Sequence, residues 1–298
     1  MELKTGENDS QRRLDRILRK ALRNCPLSLI HRLLRQGLVF VDGMSAEAGD
    51  CIKAGSIISI PSLNEEYPAP RNDPAEHTPD ILWQGLGLIA VNKPCGLPVH
   101  GQASLDTIVR SYLSDKLPPS LSFVPGPLHR LDKPTSGIVV FSTSIDGARF
   151  FSSLMRERSV KKTYLALVEG YVEKEEIWQD DLVRNKKIKK TFVEKQSRMN
   201  KKTGAKSAIT RVSPIAHNGR SSLVVAEIST GRTHQIRAQA AAHRHPLAGD
   251  IKYGGKSDYN GFFLHARKLE FKGISIEAPL PPAFENIISK LFGTVVIG

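Results

Sequence analysis

The residues best suited to chemistry lie in the segment LHRLDKPTSG, residues 128–137. Its one carboxylate, Asp132, follows a histidine and an arginine and stands two residues before a proline. An ionised carboxylate in a pocket can act as a nucleophile or take up a proton. The alternative is structural, because an aspartate at such a turn often closes the turn through its own backbone. In both interpretations Asp132 lies on a loop ahead of the apolar run at residues 138–141.

Three further segments place polar residues beside apolar runs. They are LIAVNKPCGLPVHG at 88–101, VKKTYLALVEG at 160–170 and TGRTHQIR at 230–237. By residue type alone, Tyr164 is a packing residue of a strand. The last segment is, on the same basis, a loop that enters a helix capped by Thr233. These structural interpretations are the simplest for each segment taken singly.

In this order the segments resemble the RluA family of RNA pseudouridine synthases. Such enzymes break the N-glycosidic bond of a uridine in RNA, turn the base, and rejoin it through carbon five. The reaction is an isomerisation by intramolecular transfer, so the resemblance implies an enzyme without a redox cofactor, metal or nucleotide. The VHG string and the SLIHRLLRQG helix favour the RluC-like branch over the RluD-like branch.

The resemblance implies roles for three residues. Asp132 matches the family's catalytic aspartate, and Arg232 matches the arginine expected to keep that carboxylate ionised by charge and paired hydrogen bonds. Tyr164 matches an aromatic residue that stacks on a flipped uracil and helps to remove the proton from carbon five. Leu264 matches an apolar residue beneath the active site. The chain departs from the family at residues 238–239, which are Ala-Gln instead of the usual Val-His.

Positive charge is concentrated in two segments of the chain. The net charge is +13, yet residues 11–38 carry +7 and residues 184–206 carry +9, so the remainder is slightly acidic. This placement indicates a polyanionic partner, although two solvated basic faces would look the same. With the resemblance, the expected partner is ribosomal RNA, chiefly of the large subunit (23S). The side chains expected to bind it are Arg16, Arg19, Arg32, Arg35, Lys93, His129, Arg130, Lys162 and Arg237.

The hydrophobic pattern predicts three regions. Residues 12–61 read as two amphipathic helices and short strands, with Ser28 as the cap of the second helix. This string resembles the RNA-binding domain named after the fourth small-subunit ribosomal protein, a small α/β unit. Residues 62–80 form a proline-rich linker. Residues 81–298 mix strands and helices without a regular βαβ period, which predicts an α+β catalytic domain around a mixed, mostly antiparallel sheet.

Local periodicity predicts individual elements of the larger region. The expected strands lie at 87–91, 138–142, 163–168, 223–228 and 268–271, and the expected helices lie at 105–113, 148–156 and 233–243.

Several function classes are disfavoured by the sequence. The three cysteines form no CxxC pair, the histidines lack ligand spacing, and no nucleotide-binding or metal-binding motif is present. We therefore expect no cofactor and no metal. No apolar run approaches the roughly 18 residues of a membrane span, and the polar N-terminus does not resemble a secretory signal. We expect a cytoplasmic monomer that does not contact a membrane.

Two alternatives to a pseudouridine synthase belong to other classes. A non-catalytic RNA-binding or ribosome-assembly protein would keep the fold but would not need Asp132, Tyr164 and Arg232 together. A glycoside hydrolase would require paired carboxylates, and Asp132 stands alone.

Overall fold

The structure is a computed structural model that describes residues 1–22, 25–62, 78–194, 204–256 and 258–296. An N-terminal domain, residues 1–62, has its own apolar core, and the larger C-terminal domain is built on one long sheet. Residues 63–77 of the predicted linker and residues 195–203 of the predicted basic segment lie outside the described residues.

Two helices and two small sheets form the N-terminal domain. The leucine and isoleucine stripe of the first helix is buried, as its spacing predicts. The prediction that Ser28 caps the second helix is wrong. This helix begins at Leu27, directly after Pro26, so Ser28 lies inside it. In chain order the elements are β1 (Glu2–Lys4), β2 (Arg12–Arg13), α1 (Leu14–Ala21), α2 (Leu27–Arg35), β3 (Phe40–Val41), β4 (Met44–Ser45), β5 (Cys51–Ile52) and β6 (Ile57–Ser59).

The C-terminal domain alternates strands and helices irregularly. Its elements are β7 (Asp80–Gly85), β8 (Leu88–Lys93), α3 (Leu105–Leu113), β9 (Gly126–Pro127), β10 (Ser136–Ser142), α4 (Ile145–Arg156), β11 (Lys161–Glu169), β12 (Glu176–Asn185), β13 (Lys190–Val193), β14 (Lys206–His217), β15 (Ser221–Ile228), α5 (Gln235–Ala242), β16 (Leu264–Phe271), β17 (Ile274–Glu277) and α6 (Pro282–Phe292).

One sheet of eleven strands organises this domain. Its order is β13-β12-β14-β15-β11-β16-β10-β8-β7, with β17 beside β16 and β9 beside β10. Among the described pairings, β10 and β16 run parallel and the other neighbours are antiparallel. The parallel contact depends on Gly137, because a Cβ atom there would overlap the backbone of Ala266. The predicted α+β class with a mixed, mostly antiparallel sheet is confirmed.

The predicted elements are found where the local pattern is strong. Helix α3 spans the predicted residues, and the five predicted strands lie within or overlap β8, β10, β11, β15 and β16. No element was predicted for β7, β12, β13, β14, β17 or α6. Within the described part of the chain, no helix is long and apolar enough to cross a membrane. The same residues include no cluster of His, Cys, Asp or Glu that could hold a metal ion.

Candidate active site

Asp132 stands on the loop between β9 and β10. Its backbone carbonyl accepts a hydrogen bond from the Thr135 amide at 3.0 Å, which closes the turn that the sequence predicts. The carboxylate remains available for other contacts and is 18% exposed. It faces a small cavity of about 70 Å³. The lining residues come from four parts of the fold: Arg130, Leu131, Asp132, Thr135, Tyr164, Ile228, Arg232, His234, Gln235, Ile236, Arg237 and Leu264.

A buried guanidinium, that of Arg237, holds the Asp132 carboxylate. Nη1 of Arg237 donates to Oδ2 of Asp132 at 2.8 Å. Nε and Nη2 of the same side chain donate to Asp250 at 2.7 and 2.9 Å. Burial alone would lower the pKa of Arg237, but its hydrogen bonds to the two carboxylates raise the pKa. Arg237 is therefore a buried cation that holds the Asp132 carboxylate by a direct hydrogen bond.

The prediction that Arg232 pairs with Asp132 is wrong. Arg232 lies on the loop before α5, and its Nε donates to the carbonyl of Ser207 at 3.2 Å. Helix α5 begins at Gln235, so Arg237 lies in the first turn, on the buried face of the helix. Arg232 does line the cavity, where it can contact a bound substrate. The prediction that Arg237 contacts RNA stays a prediction: Arg237 lines the same cavity, and its guanidinium donates to Asp132 and Asp250.

His234 is a second neighbour of Asp132 that the sequence analysis did not place in the site. It precedes α5 in the left-handed conformation, with φ of 55°. Its Nδ1 lies 3.4 Å from Nη1 of Arg184, which can only donate. Nδ1 is therefore the acceptor and Nε2 carries the proton, facing Oδ2 of Asp132 at 3.6 Å. Burial lowers the pKa of His234 to about 4, so the ring is neutral at physiological pH.

Tyr164 reaches the cavity from the centre of the sheet, on β11. Its ring belongs to the apolar core, next to the β16 residues Leu264 and Ala266. Burial and then the charge of Asp132 raise the pKa of the phenol above its usual value. The side chain therefore offers a ring and a neutral hydroxyl to a substrate at neutral pH. Leu264 lines the same cavity, as the family resemblance implies.

The prediction that Lys93 contacts RNA is wrong. Lys93 is fully buried, and its Nζ donates to the carbonyls of Pro94, Leu97 and Lys133 at 2.8–3.1 Å. The last of these carbonyls belongs to the residue after Asp132. Lys93 thus ties the loop after β8 to the turn that holds the carboxylate.

The other predicted RNA contacts differ in environment. His129 accepts a hydrogen bond from the Val140 amide at 3.1 Å, and burial lowers its pKa to about 3, so it brings no positive charge. Arg130 is exposed at the edge of the cavity. The side chains of Arg16, Arg19, Arg32 and Arg35 are exposed on the two N-terminal helices.

Lys162 is an ammonium group without a described counter-charge. It is 8% exposed and forms no hydrogen bond or ion pair with a described residue. Burial lowers its pKa to about 8. Its Nζ lies near Gly231, in the loop that also carries Arg232. A buried cation without a counter-charge among the described residues is suited to an anionic ligand.

The departure at residues 238–239 has a structural explanation. Gln239 is fully buried on α5; its Oε1 accepts from the Thr210 hydroxyl, and its Nε2 donates to Trp178 and Asp180. These bonds fasten α5 to β12 and β14. Gln239 therefore supports the helix that carries Arg237, and neither residue 238 nor residue 239 lines the cavity.

Sequence reasoning missed the group that surrounds Arg237. Besides Asp250, the guanidinium lies over the rings of Tyr253 and Phe262, at 4.9 and 4.4 Å. The hydroxyl of Tyr253 in turn lies 2.8 Å from Nδ1 of His234. The one available signal was the helical position of Arg237, which indicates a buried face once the start of α5 is known.

Comparisons with known proteins agree with this geometry. A family model described as RNA pseudouridylate synthase matches residues 87–242. The ribosomal large subunit pseudouridine synthase C of Vibrio cholerae is 31% identical, over 96% of this chain and 95% of that protein. The protein of the same name in Escherichia coli is 29% identical, over 95% of this chain. A solved structure, human RNA pseudouridylate synthase domain containing 4, is similar with a TM-score of 0.62 and 26% identity, over 71% of this chain and 92% of that one.

Proposed function

Because this chain belongs to the RNA pseudouridylate synthase family, we propose that it isomerises specific uridines of large-subunit (23S) ribosomal RNA, with Asp132 as the catalytic carboxylate. The family establishes an isomerase, and the names of its relatives point to ribosomal RNA. The observation that carries the residue assignment is the 2.8 Å contact between Asp132 and the buried Arg237. We also propose that the enzyme is monomeric and that it acts in the cytoplasm.

The reaction is balanced within the substrate. The bond between N1 of uracil and the sugar breaks, a bond from carbon five to the sugar forms, carbon five loses a proton, and N1 gains one. Asp132 can attack the sugar or the base, or take a proton from the sugar. In each of these steps Arg237 holds the reacting carboxylate in place, while Tyr164 provides a ring for the flipped base.

The neighbouring side chains are suited to positioning. Arg237 and the Nε2–H group of His234 both face Oδ2 of Asp132, at 2.8 and 3.6 Å. The other carboxylate oxygen is not needed for these contacts and can react. Arg232 supplies positive charge at the cavity and Lys162 supplies it near Gly231 of the same loop, where we expect the phosphates next to a flipped nucleotide to pass.

A direct experiment tests this function. RNA transcribed in vitro as 23S ribosomal RNA, tritiated at carbon five of uridine, should release tritium when incubated with the protein. Mapping pseudouridines in the product, and in ribosomal RNA from cells with and without the gene, would identify the sites. A protein that binds this RNA without releasing tritium would support the alternative of a non-catalytic RNA-binding or ribosome-assembly protein.

Substituting Lys162 by methionine should stabilise the protein while weakening its binding to RNA. Lys162 is buried without a partner among the described residues, and this burial lowers its pKa from 10.5 to about 8. At pH 7 the variant should gain up to about 3 kcal/mol in the free energy of unfolding, since one pKa unit corresponds to about 1.4 kcal/mol. We would measure this by urea denaturation, alongside RNA affinity.

The pH dependence of the unfolding free energy tests whether the buried charge of Lys162 causes this gain in stability. As pH rises from about 8 towards 10.5, the unfolded chain binds more protons at this lysine than the folded chain, so the wild type gains stability. The advantage of Lys162→Met should therefore shrink over this range. Lys161→Met is the matched control, because Lys161 is exposed and paired with Glu227. Equal behaviour of the two variants would contradict the role of an unpaired buried charge.

A further inference from the structure

The two domains are joined through one buried carboxylate, that of Asp9. It accepts hydrogen bonds from the amides of Leu121 and Ser122, both at 2.9 Å, and from the hydroxyls of Ser120 and Ser122. A further bond comes from the Gly6 amide at 2.9 Å. Burial raises the pKa of Asp9, but the hydrogen bonds outweigh this and the net shift is downward. The contact is therefore stable at neutral pH.

Other contacts reinforce this connection. Nη1 of Arg12 donates to the Ser122 hydroxyl at 2.7 Å, and the Ile145 amide donates to Asn8 at 2.9 Å. Leu121 packs against the apolar core of the N-terminal domain. The N-terminal domain consequently has a defined position against the segment that leads into β9.

A cleft of about 570 Å³ opens beside this connection. One wall comes from the N-terminal domain and the other from α3, β10, α4 and residues 122–124. Of the ten residues that line it, four are basic and none is acidic. The full lining is Arg12, Arg19, Lys20, Arg110, Ser122, Phe123, Val124, Ser142, Ile145 and Ala148.

The charges around the cleft repel one another. The pKa of the Arg12 guanidinium is lowered by burial first; Asp9 raises it, and the neighbouring Arg149 and Arg16 lower it further. Arg110 retains an acidic partner, since its Nε donates to Asp106 at 2.8 Å. A bound polyanion would offset the repulsion between the cations on the two facing walls. A phosphodiester backbone can contact both walls at once.

The cleft is close to the active site along the chain. Val124, on the cleft, and Arg130, on the rim of the catalytic cavity, are only six positions apart in the chain. At about 3.3–3.6 Å per residue, this segment spans no more than about 22 Å. A single RNA strand could therefore extend from one to the other.

We propose that the cleft between the two domains binds the phosphodiester backbone of the RNA that flanks the target uridine. The N-terminal domain and the catalytic domain then hold one substrate jointly, and the Asp9 connection sets the distance from the cleft to Asp132. The half-buried ring of Phe123 lies in the same cleft and can contact an unstacked base. This inference rests on the proposed function for the identity of the RNA.

The test removes charge from each wall in the full-length protein. One variant carries Arg19→Gln and Lys20→Gln, and another carries Arg110→Gln. The control carries Lys272→Gln and Lys290→Gln, which removes two exposed cations that do not line the cleft. The probes are an unmodified 23S ribosomal RNA transcript and polyuridylate. Deleting the whole N-terminal domain would be a poorer test, because it would expose Leu121.

Both wall variants should bind each probe severalfold more weakly than the control does. The slope of log affinity against log salt should fall by about 0.7 per lost contact on single strands and about 0.9 on duplex RNA, taking the DNA value. Unchanged slopes in the wall variants, or losses equal to those of the control, would overturn the proposal. Circular dichroism verifies that each variant is folded. If Arg110→Gln is destabilised, the variant with Arg19→Gln and Lys20→Gln is sufficient to test the proposal.

The proposed function and this site can fail separately. One outcome is that the wild type releases no tritium from 23S ribosomal RNA while the wall variants still lower the salt slope for polyuridylate binding. That result would support the RNA-binding cleft and contradict the proposed substrate. If tritium release is normal and the wall variants bind like the wild type, the cleft alone is refuted.

Discussion

Replacing Asp132 by asparagine should lower tritium release by about 10⁴-fold or more, the scale expected when a group that forms bonds in the reaction is removed. Asparagine keeps the size of the side chain and can accept the hydrogen bond from Arg237. It cannot act as a nucleophile or as a base. RNA binding should stay within a few-fold of the wild type, because Asp132 contributes no positive charge to the interface.

Two controls make this result specific. Asp258→Asn removes one exposed carboxylate elsewhere and should leave tritium release unchanged. Asp132→Glu keeps the charge but moves it by about one methylene, which should cost on the order of 10²-fold, as expected for a misplaced catalytic group. Substantial turnover by Asp132→Asn in a single-turnover assay would show that another residue performs the chemistry.

Replacing Arg237 by methionine should cost far more activity and stability than replacing Arg232. The first change leaves Asp132 without its counter-charge and isolates Asp250, which is 2% exposed. Breaking a buried ion pair in this way costs about 3–5 kcal/mol in the free energy of unfolding. Arg232→Met removes one hydrogen bond to the Ser207 carbonyl and a possible substrate contact. It should therefore reduce activity with little effect on stability.

Stability and catalysis can be separated in this comparison. Urea denaturation gives the difference in unfolding free energy, and single-turnover rates are then measured where each variant is fully folded. Arg237→Lys should recover part of the stability, because it restores the charge without the paired geometry of the guanidinium. Equal losses of stability and single-turnover rate in Arg232→Met and Arg237→Met would show that the function of Asp132 does not depend on its ion pair with Arg237.

Local features of the chain could be predicted from the sequence, whereas the choice between these two arginines could not. Helix α3 was predicted with its observed bounds because the apolar spacing of Leu105, Val109 and Leu113 is a local property of the chain. Asp132 was placed on a loop before a strand because proline and glycine mark turns through their local backbone preferences. Strands β12 and β14 were missed, since their burial depends on α5 and on neighbouring strands far along the chain.

The side-chain partnerships were not readable from the chain. Asp132 and Arg237 are 105 positions apart and meet because α5 packs over the sheet, with its first turn directed at the β9–β10 loop. The family resemblance had matched Arg232 to this role, and only the packing of α5 shows that Arg237 makes the contact. Lys93 is a residue type that often contacts RNA. Only the structure shows that it is buried and donates hydrogen bonds to three carbonyls.

The sequence by itself therefore determined the family and the α+β class and singled out Asp132 as the candidate carboxylate, because these depend on residue types, spacing and local backbone preferences. The tertiary structure decided which cation holds Asp132, which tautomer His234 adopts, and how the N-terminal domain meets the rest of the protein. The physical reason is that charge pairing, burial and pKa depend on distances between groups, and such distances exist only after the distant segments have packed together.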